Sequence, residues 1–315
     1  MLETMTHNIG KREENFRKYI EYMENTAIHM NPNAPRTNAK TNAQGSELTY
    51  IISSCYPESG ALFRFRTQND YSISALENDE LWFSGARTFN DPFDSLCHID
   101  MTKLSTTVFK VLGIPDHIKY VNKIAICREY EKTFKDMGRN KKVVCLTEDI
   151  YSNLMWAHYA DSGKGFALEY EVEKMTMALM KGDLKSPVPY PVIYSDERYD
   201  VTHDAINWFK SAMDKNGAHL VDGLLLVKPV IRKGKSWGYE KEWRIIDVSN
   251  YFEDDINYAS LPFIKPKAVY IGYNTPKDYE LRIIDICKCK KIDLHKIRLD
   301  NDGNKSSLSS VPLNL

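Results

Sequence analysis

Short runs of β-branched, aromatic and other apolar residues recur along this chain at irregular intervals, and they constrain its fold more than any other feature. ALFRFR (61–66), LWFSG (81–85), KVVCLTE (142–148), GFALEYEV (165–172), EWRIIDV (242–248) and KAVYIGY (267–273) each read as strands. Between them lie helical stretches of unequal length. NDYSISALENDE (69–80) turns Ile73 and Leu76 inward, with Asp70 as its expected cap. SNLMWAHYAD (152–161) holds Leu154, Trp156, His158 and Tyr159 within two turns and stops at Gly163 and Gly165. Residues 103–136 and 203–231 read as mostly helical, PKDYELRIIDICKCK (276–290) as a helix after Pro276, and KIRL (296–299) as a last strand. No regular β–α–β rhythm and no internal repeat joins these elements. The expected class is therefore α+β, with mixed or antiparallel central sheets flanked by helices, rather than doubly wound α/β.

Residues 11–30 place Phe16, Ile20, Tyr22 and Met23 at roughly helical spacing, whereas 32–47 is polar and carries two prolines. The expected organisation is an N-terminal helix at 1–31, a linker at 32–47, one catalytic-type domain at 48–300 and a loose tail at 301–315. The formal net charge of −1 argues against a wholesale electrostatic nucleic-acid binder, so any such contact is local. MLETMTHNIGKREENF lacks the apolar core of a signal peptide, and the longest aliphatic run, near GLLLVKPVI, is too short to span a bilayer. Six cysteines are scattered without a CxxC pair. Together these features predict a cytoplasmic protein with reduced thiols and no membrane partner.

Candidate chemistry narrows quickly. Gly234-Lys235-Ser236 has the tail of a phosphate-binding loop, but Pro229 stands where the motif needs a glycine. Cys287, Cys289 and His295 fit no common zinc spacing and read as ordinary side chains. Asp91, Asp94, His98 and Asp100, with His158, could form a hard-metal site; the plainer reading makes the two aspartates of FNDPFD turn and cap residues. Trp156, His158 and Tyr159 either expose an indole, an imidazole and a phenol beside a glycine turn, or belong to a core helix with a satisfied histidine. In SWGYEKEWRIID (236–247), strand alternation puts Glu240 and Glu242 on one face and Lys241 on the other. Two such carboxylates repel, and if partly buried one has a raised pKa. Arg232, Lys235 and Arg244 are the cations in reach, and Arg244 shares their face, so a surface ion-pair network is the plainer account.

The ordered series LFRFRT, LENDELWFSGARTFNDPFD, VVCLTED, LMWAHYADSGKGFALEY and YEKEWRII resembles an uncharacterised bacterial family, domain of unknown function 2971, over about residues 61 to 275. More distantly, the order of elements is similar to the ADP-ribosyltransferase fold. That likeness implies that Arg66 on the first core strand holds the pyrophosphate of NAD, that Ser84 lies in the following LWFS strand, and that Thr147 fixes Glu242 or the ribose. It implies further that Trp156 or Tyr159, beside His158, stacks on nicotinamide, and that Glu240 and Glu242 form the late Glu-x-Glu. Glu242 would offset an oxocarbenium-like charge while Glu240 positions or deprotonates the acceptor. CLTE departs from the fold's Ser-Thr-Ser element, and Arg64 rivals Arg66 on its own face.

The expected function is an NAD-consuming ADP-ribosyltransferase or NAD glycohydrolase. NAD is its substrate, no metal takes part, and the acceptor is an unknown protein or nucleic acid. Such an activity suits a toxin or an anti-phage effector. The alternatives are a metal-dependent nuclease or phosphoesterase, and a non-catalytic module that binds a nucleotide or peptide. The catalytic reading requires Arg66, Thr147, His158, Tyr159 and Glu242 to converge on one cleft.

Overall fold

The computed structural model describes residues 2–26, 29–30, 39–113, 132–134, 137–181, 188–213, 221–222, 224–247, 258–300 and 306–314. Ten strands form its main sheet: β1 (Ala61–Arg66), β2 (Glu80–Gly85), β3 (Lys142–Thr147), β4 (Phe166–Glu171), β5 (Tyr190–Pro191), β6 (Glu242–Asp247), β7 (Tyr258–Pro262), β8 (Ala268–Ile271), β9 (Asp293–Asp300) and β10 (Ser307–Pro312). The path runs β7-β2-β3-β1-β4-β8-β9-β10, while β6 pairs with β3 and β5 off this path. Within this sheet every pairing is antiparallel except that of β8 with β9. The helices whose bounds are described are α1 (Leu2–Asn25), α2 (Ala39–Ser53), α3 (Asp70–Glu77), α4 (Met101–Val111), α5 (Asn153–Tyr159), α6 (Val172–Lys181), α7 (Thr202–Met213) and α8 (Lys277–Lys290). The fold is thus α+β, a central, mostly antiparallel sheet flanked by helices.

The sheet splits at β3. One edge of this strand carries a full ladder to β6, from Glu242 opposite Thr147 to Asp247 opposite Lys142. The other edge is shared: Thr147 pairs with Phe63 of β1, whereas Val143 and Lys142 pair with Ser84 and Gly85 of β2. β1 and β2 therefore diverge and leave a wedge between them. Backbone carbonyls that leave a ladder still need donors. Arg64 supplies them, its two terminal nitrogens donating to the carbonyls of Cys145 and Trp82, each at 2.9 Å.

The main apolar cluster joins sheet residues such as Leu62, Phe83, Leu146, Trp243 and Ile245 to Tyr19 and Met23 of α1 and Ile52 of α2. A second cluster lies between α4 and α7, and a third surrounds Trp156, Phe63 and Tyr270. Alternation and helical spacing located most of these elements, and Ile73 and Leu76 are buried as their pattern predicts.

Four expectations are corrected. Residues 39–47 of the expected linker lie in α2, which Leu48 and Ile52 anchor in the core. The expected tail contributes β10, an edge strand on β9 that buries Leu308. Asn69 caps α3 by accepting from the Ser72 amide at 2.8 Å, leaving Asp70 to pair with Arg282. Of the helix expected at 203–231, α7 ends at Met213 and residues 224–231 are turns. Residues 114–131 of the expected helix at 103–136, with Cys127, lie outside the described residues. Among the described residues no helix is long and apolar enough to cross a membrane.

Candidate functional site

A cleft of about 790 Å³ opens in the wedge between β1 and β2, with the start of β6 on its far side. Its two carboxylates do not arise from strand alternation. Lys235–Glu240 is a 3-10 helix, Lys241 is left-handed at φ 44°, and β6 begins only at Glu242. Glu240 and Glu242 meet because the backbone doubles back at Lys241 and both side chains reach Lys233. Two hydroxyls pin the turn: Thr147 donates to the Glu240 carbonyl at 2.6 Å, and the Glu242 amide donates to Tyr194 at 2.8 Å.

The charges form one buried chain. Tyr159 donates to Glu240 Oε1 at 2.5 Å, and Lys233 Nζ contacts Glu240 and lies 3.1 Å from Glu242 Oε2. Arg244 donates to both Glu242 oxygens, at 2.8 and 3.0 Å, and to both oxygens of Asp94, at 2.8 and 2.6 Å. It also donates to the Val230 carbonyl, and Ser95 donates to Asp94 at 2.7 Å. Lys233 and Arg244 lie over the rings of Trp237 and Phe89 at 4.8 and 5.1 Å. Three carboxylates face two cations, so an excess of one negative charge remains at this end of the cleft when all are ionised.

The environments push the two glutamates apart. Burial raises the pKa of Glu242, but Arg244 and Lys233 outweigh burial and hold its carboxyl well below the usual carboxylate range. Burial and then the charge of Glu242 raise Glu240, against the pull of Lys233 and Tyr159. A carboxylate pair split in this way is the arrangement that separates a fixed anion from a proton carrier. Burial lowers Lys233, but Glu242 and then Glu240 and Asp94 keep it charged.

The β1 side of the cleft is positive. Arg64 and Arg66 lie on one face of β1 and line the cleft, and among the described residues neither has a carboxylate partner. Burial, followed by Arg64, lowers the Arg66 guanidinium to about 10, which leaves it cationic at neutral pH. Asn69 at the start of α3, Tyr71, Trp82 and Ser84 complete this wall.

Of the residues expected at a site, Arg66, Ser84, Tyr159, Glu240 and Glu242 line the cleft. Trp156 does not: it is fully enclosed against Phe65, and its indole donates to the Ile150 carbonyl at 2.7 Å. A flat apolar ring on the inner face of α5 gains more from the core than from a solvated cleft. His158 points from the exposed side of α5, and Thr147 is buried with its hydroxyl committed to backbone, so of the five residues required to converge only Arg66, Tyr159 and Glu242 do so. Gly163 and Gly165 admit no ligand either. A Cβ at Gly165 would collide with the Arg66 carbonyl oxygen and one at Gly163 with the Tyr273 ring, so these glycines let the protein's own segments approach. The network of Arg244 is buried rather than superficial, while Arg232 and Lys235 pair elsewhere, with Glu24 and Asp196.

Two site residues escape the sequence reading, Lys233 and Tyr194, and a third, Asp94, takes a different part from the one expected. No spacing signals the first, because Lys233 reaches the cleft from a two-residue strand paired to Ile193–Tyr194. The sequence pattern makes Asp94 a turn or metal residue. It is 1% exposed and bound to Arg244, while Asp91 makes the turn by accepting from the Phe93 amide at 2.9 Å. His98 is exposed and Asp100 caps α4. Among the described residues no group of three His, Cys, Asp or Glu side chains is placed to hold a metal ion.

Residues 155–245 match the model of a protein family of unknown function, DUF2971. The matched span carries Tyr159, Lys233, Glu240, Glu242 and Arg244; it is narrower than the resemblance read from the sequence and omits β1 and Asp94. Comparisons with curated proteins and with solved structures give no match.

Proposed function

We propose that this chain, whose residues 155–245 match family DUF2971, binds NAD in the cleft and cleaves its nicotinamide–ribose bond, on a fold of the ADP-ribosyltransferase kind. The observation that carries the reading is the polarity of the cleft: two arginines on β1 that have no carboxylate partner among the described residues, and a buried carboxylate pair across the wedge at the start of β6. NAD carries the matching charges, an anionic pyrophosphate and a cationic nicotinamide ring. A site that holds each end against the opposite charge orients the scissile bond.

The chemistry assigned to the two glutamates follows from their environments. The bond from ribose C1′ to nitrogen breaks and its electron pair enters the nicotinamide ring, which leaves uncharged. Positive charge develops on the ribose, where ionised Glu242 stabilises it. A water or acceptor nucleophile bonds to C1′ and its proton passes to Glu240, the more basic carboxylate. Tyr159 and Lys233 hold Glu240 at the bonding position. Tyr71 and Trp82 offer aromatic faces for a base.

The test is nicotinamide release from NAD by the purified protein beside Glu242→Gln, with and without cell lysate. Release by the wild type alone supports the reading, and a dependence on lysate assigns transfer rather than hydrolysis. Absence of release with retained NAD binding supports a second reading, a non-catalytic nucleotide-binding module. That reading is favoured by one observation: both oxygens of Glu242 are already engaged by Arg244 and Lys233.

A further inference from the structure

We propose that α1 is a control element for the cleft: docked, it holds the segments that carry Lys233, Glu242 and Arg244 in register, and undocked it releases them. One helix, outside the span matched to the family model, reaches three separate segments behind the site. Arg12 pairs with Glu148, which follows β3 and also accepts from the Trp243 indole at 2.7 Å. Trp243 is the residue between Glu242 and Arg244, so this contact grips β6 from the side opposite its charges. Tyr19 donates to the Pro191 carbonyl at 3.0 Å, and Pro191 is the β5 residue paired with Trp243. Glu24 pairs with Arg232 at 3.1 Å, next to Lys233, and the Thr26 carbonyl accepts from Lys228 at 2.9 Å.

These contacts differ from ordinary core packing in where they fall. Those of Arg12, Tyr19 and Glu24 reach Glu148 beside Thr147, Pro191 on the strand paired to β6, and Arg232 beside Lys233; the Lys228 contact and the bonds of Arg12 and Asn15 to the carbonyls of Cys55 and Ser54 serve to anchor the helix. The Glu240–Glu242 arrangement is sensitive to movement, because among the described residues Lys233 is the cation that contacts both of these like charges. A shift of β6 against the Arg232–Lys233 segment therefore changes the protonation of the pair as well as its position. Arg12, Tyr19 and Glu24 are positioning residues in this scheme; none lines the cleft.

The regulatory consequence rests on the NAD-cleaving reading, but the structural coupling does not, and the experiment separates them. Amide hydrogen exchange is measured by mass spectrometry on the full chain, comparing wild type with the triple variant Arg12→Met, Tyr19→Phe, Glu24→Gln, and with Glu24→Gln alone as the milder change. The expected result is exchange about tenfold faster in β6 and β3, equivalent to ~1.4 kcal/mol of local stability, with β8 and β9 at wild-type rates. Uniform acceleration across the sheet, or no change in β6 in a folded variant, overturns the proposal. Nicotinamide release by the same proteins falls in step with β6 exchange. If the wild type releases none, the NAD reading fails while the exchange data still decide the role of α1.

Discussion

Arg244 grips Asp94 with both ends of its guanidinium, at 2.8 and 2.6 Å, and neither side chain is more than 1% exposed. This pair, 150 residues apart in the chain, ties β6 to the turn that closes the cleft. Removing one partner of a buried pair leaves an uncompensated charge, which costs ~3–5 kcal/mol. Asp94→Asn and Arg244→Met are each expected to lose that much in urea unfolding. The double variant loses less than the sum, because the second change removes the charge that the first one orphaned.

Lys233→Met removes the ammonium between Glu240 and Glu242 while keeping the aliphatic stem. The pair then takes up a proton at neutral pH, since two adjacent buried carboxylates cannot both stay ionised. Proton uptake on folding, measured by the pH dependence of urea stability, is expected to extend to higher pH in Lys233→Met than in Lys233→Arg, which keeps the wild-type window. Equal profiles for the two variants would count against a charge role for Lys233.

The opposite shifts of the two glutamates give opposite pH limbs. Glu242 is depressed, so its stabilisation is full above the ordinary carboxylate range and is lost as pH falls through the folded value. Glu240 is raised, so the folded state binds the extra proton between the ordinary and the raised value, and stability declines as pH rises through that window. Thermal unfolding against pH should lose its acid limb in Glu242→Gln and its upper decline in Glu240→Gln. Nicotinamide release should rise with pH through the folded pKa of Glu240, because only its ionised form accepts a proton.

Arg66→Met tests the positive wall. A hydrogen bond to a charged ligand contributes ~1.5–3 kcal/mol, so NAD affinity measured calorimetrically should fall roughly 10- to 150-fold. Stability should hold or rise, because the variant relieves repulsion from Arg64 and removes a cation that has no carboxylate partner among the described residues.

Gly165→Ala tests the close approach of backbones under Arg66. The added Cβ meets the Arg66 carbonyl oxygen, a backbone atom that cannot rotate away. A loss of about 3 kcal/mol, the upper end for overpacking, is expected in unfolding experiments, with weakened NAD binding as β1 shifts.

Local pattern determined a great deal of this protein. Seven strands, the inward face of α3 and the α+β class follow from alternation and helical spacing, which act over a few residues. Glu240 and Glu242 stand out in the sequence as two carboxylates in a core-like strand, Arg66 and Tyr159 enter through the resemblance, and all four line one cleft, whereas His158, the side chain costly to bury, is exposed. Only the tertiary structure decided how they are used. Glu240 leaves the strand through a left-handed turn at Lys241, and its partner Lys233 arrives from a separate two-residue pairing. Asp94 becomes the counter-ion of a residue 150 positions away, and Trp156 disappears into the core on the same helix that presents Tyr159. Charge compensation and burial act through space between distant segments, and no spacing along the chain encodes them.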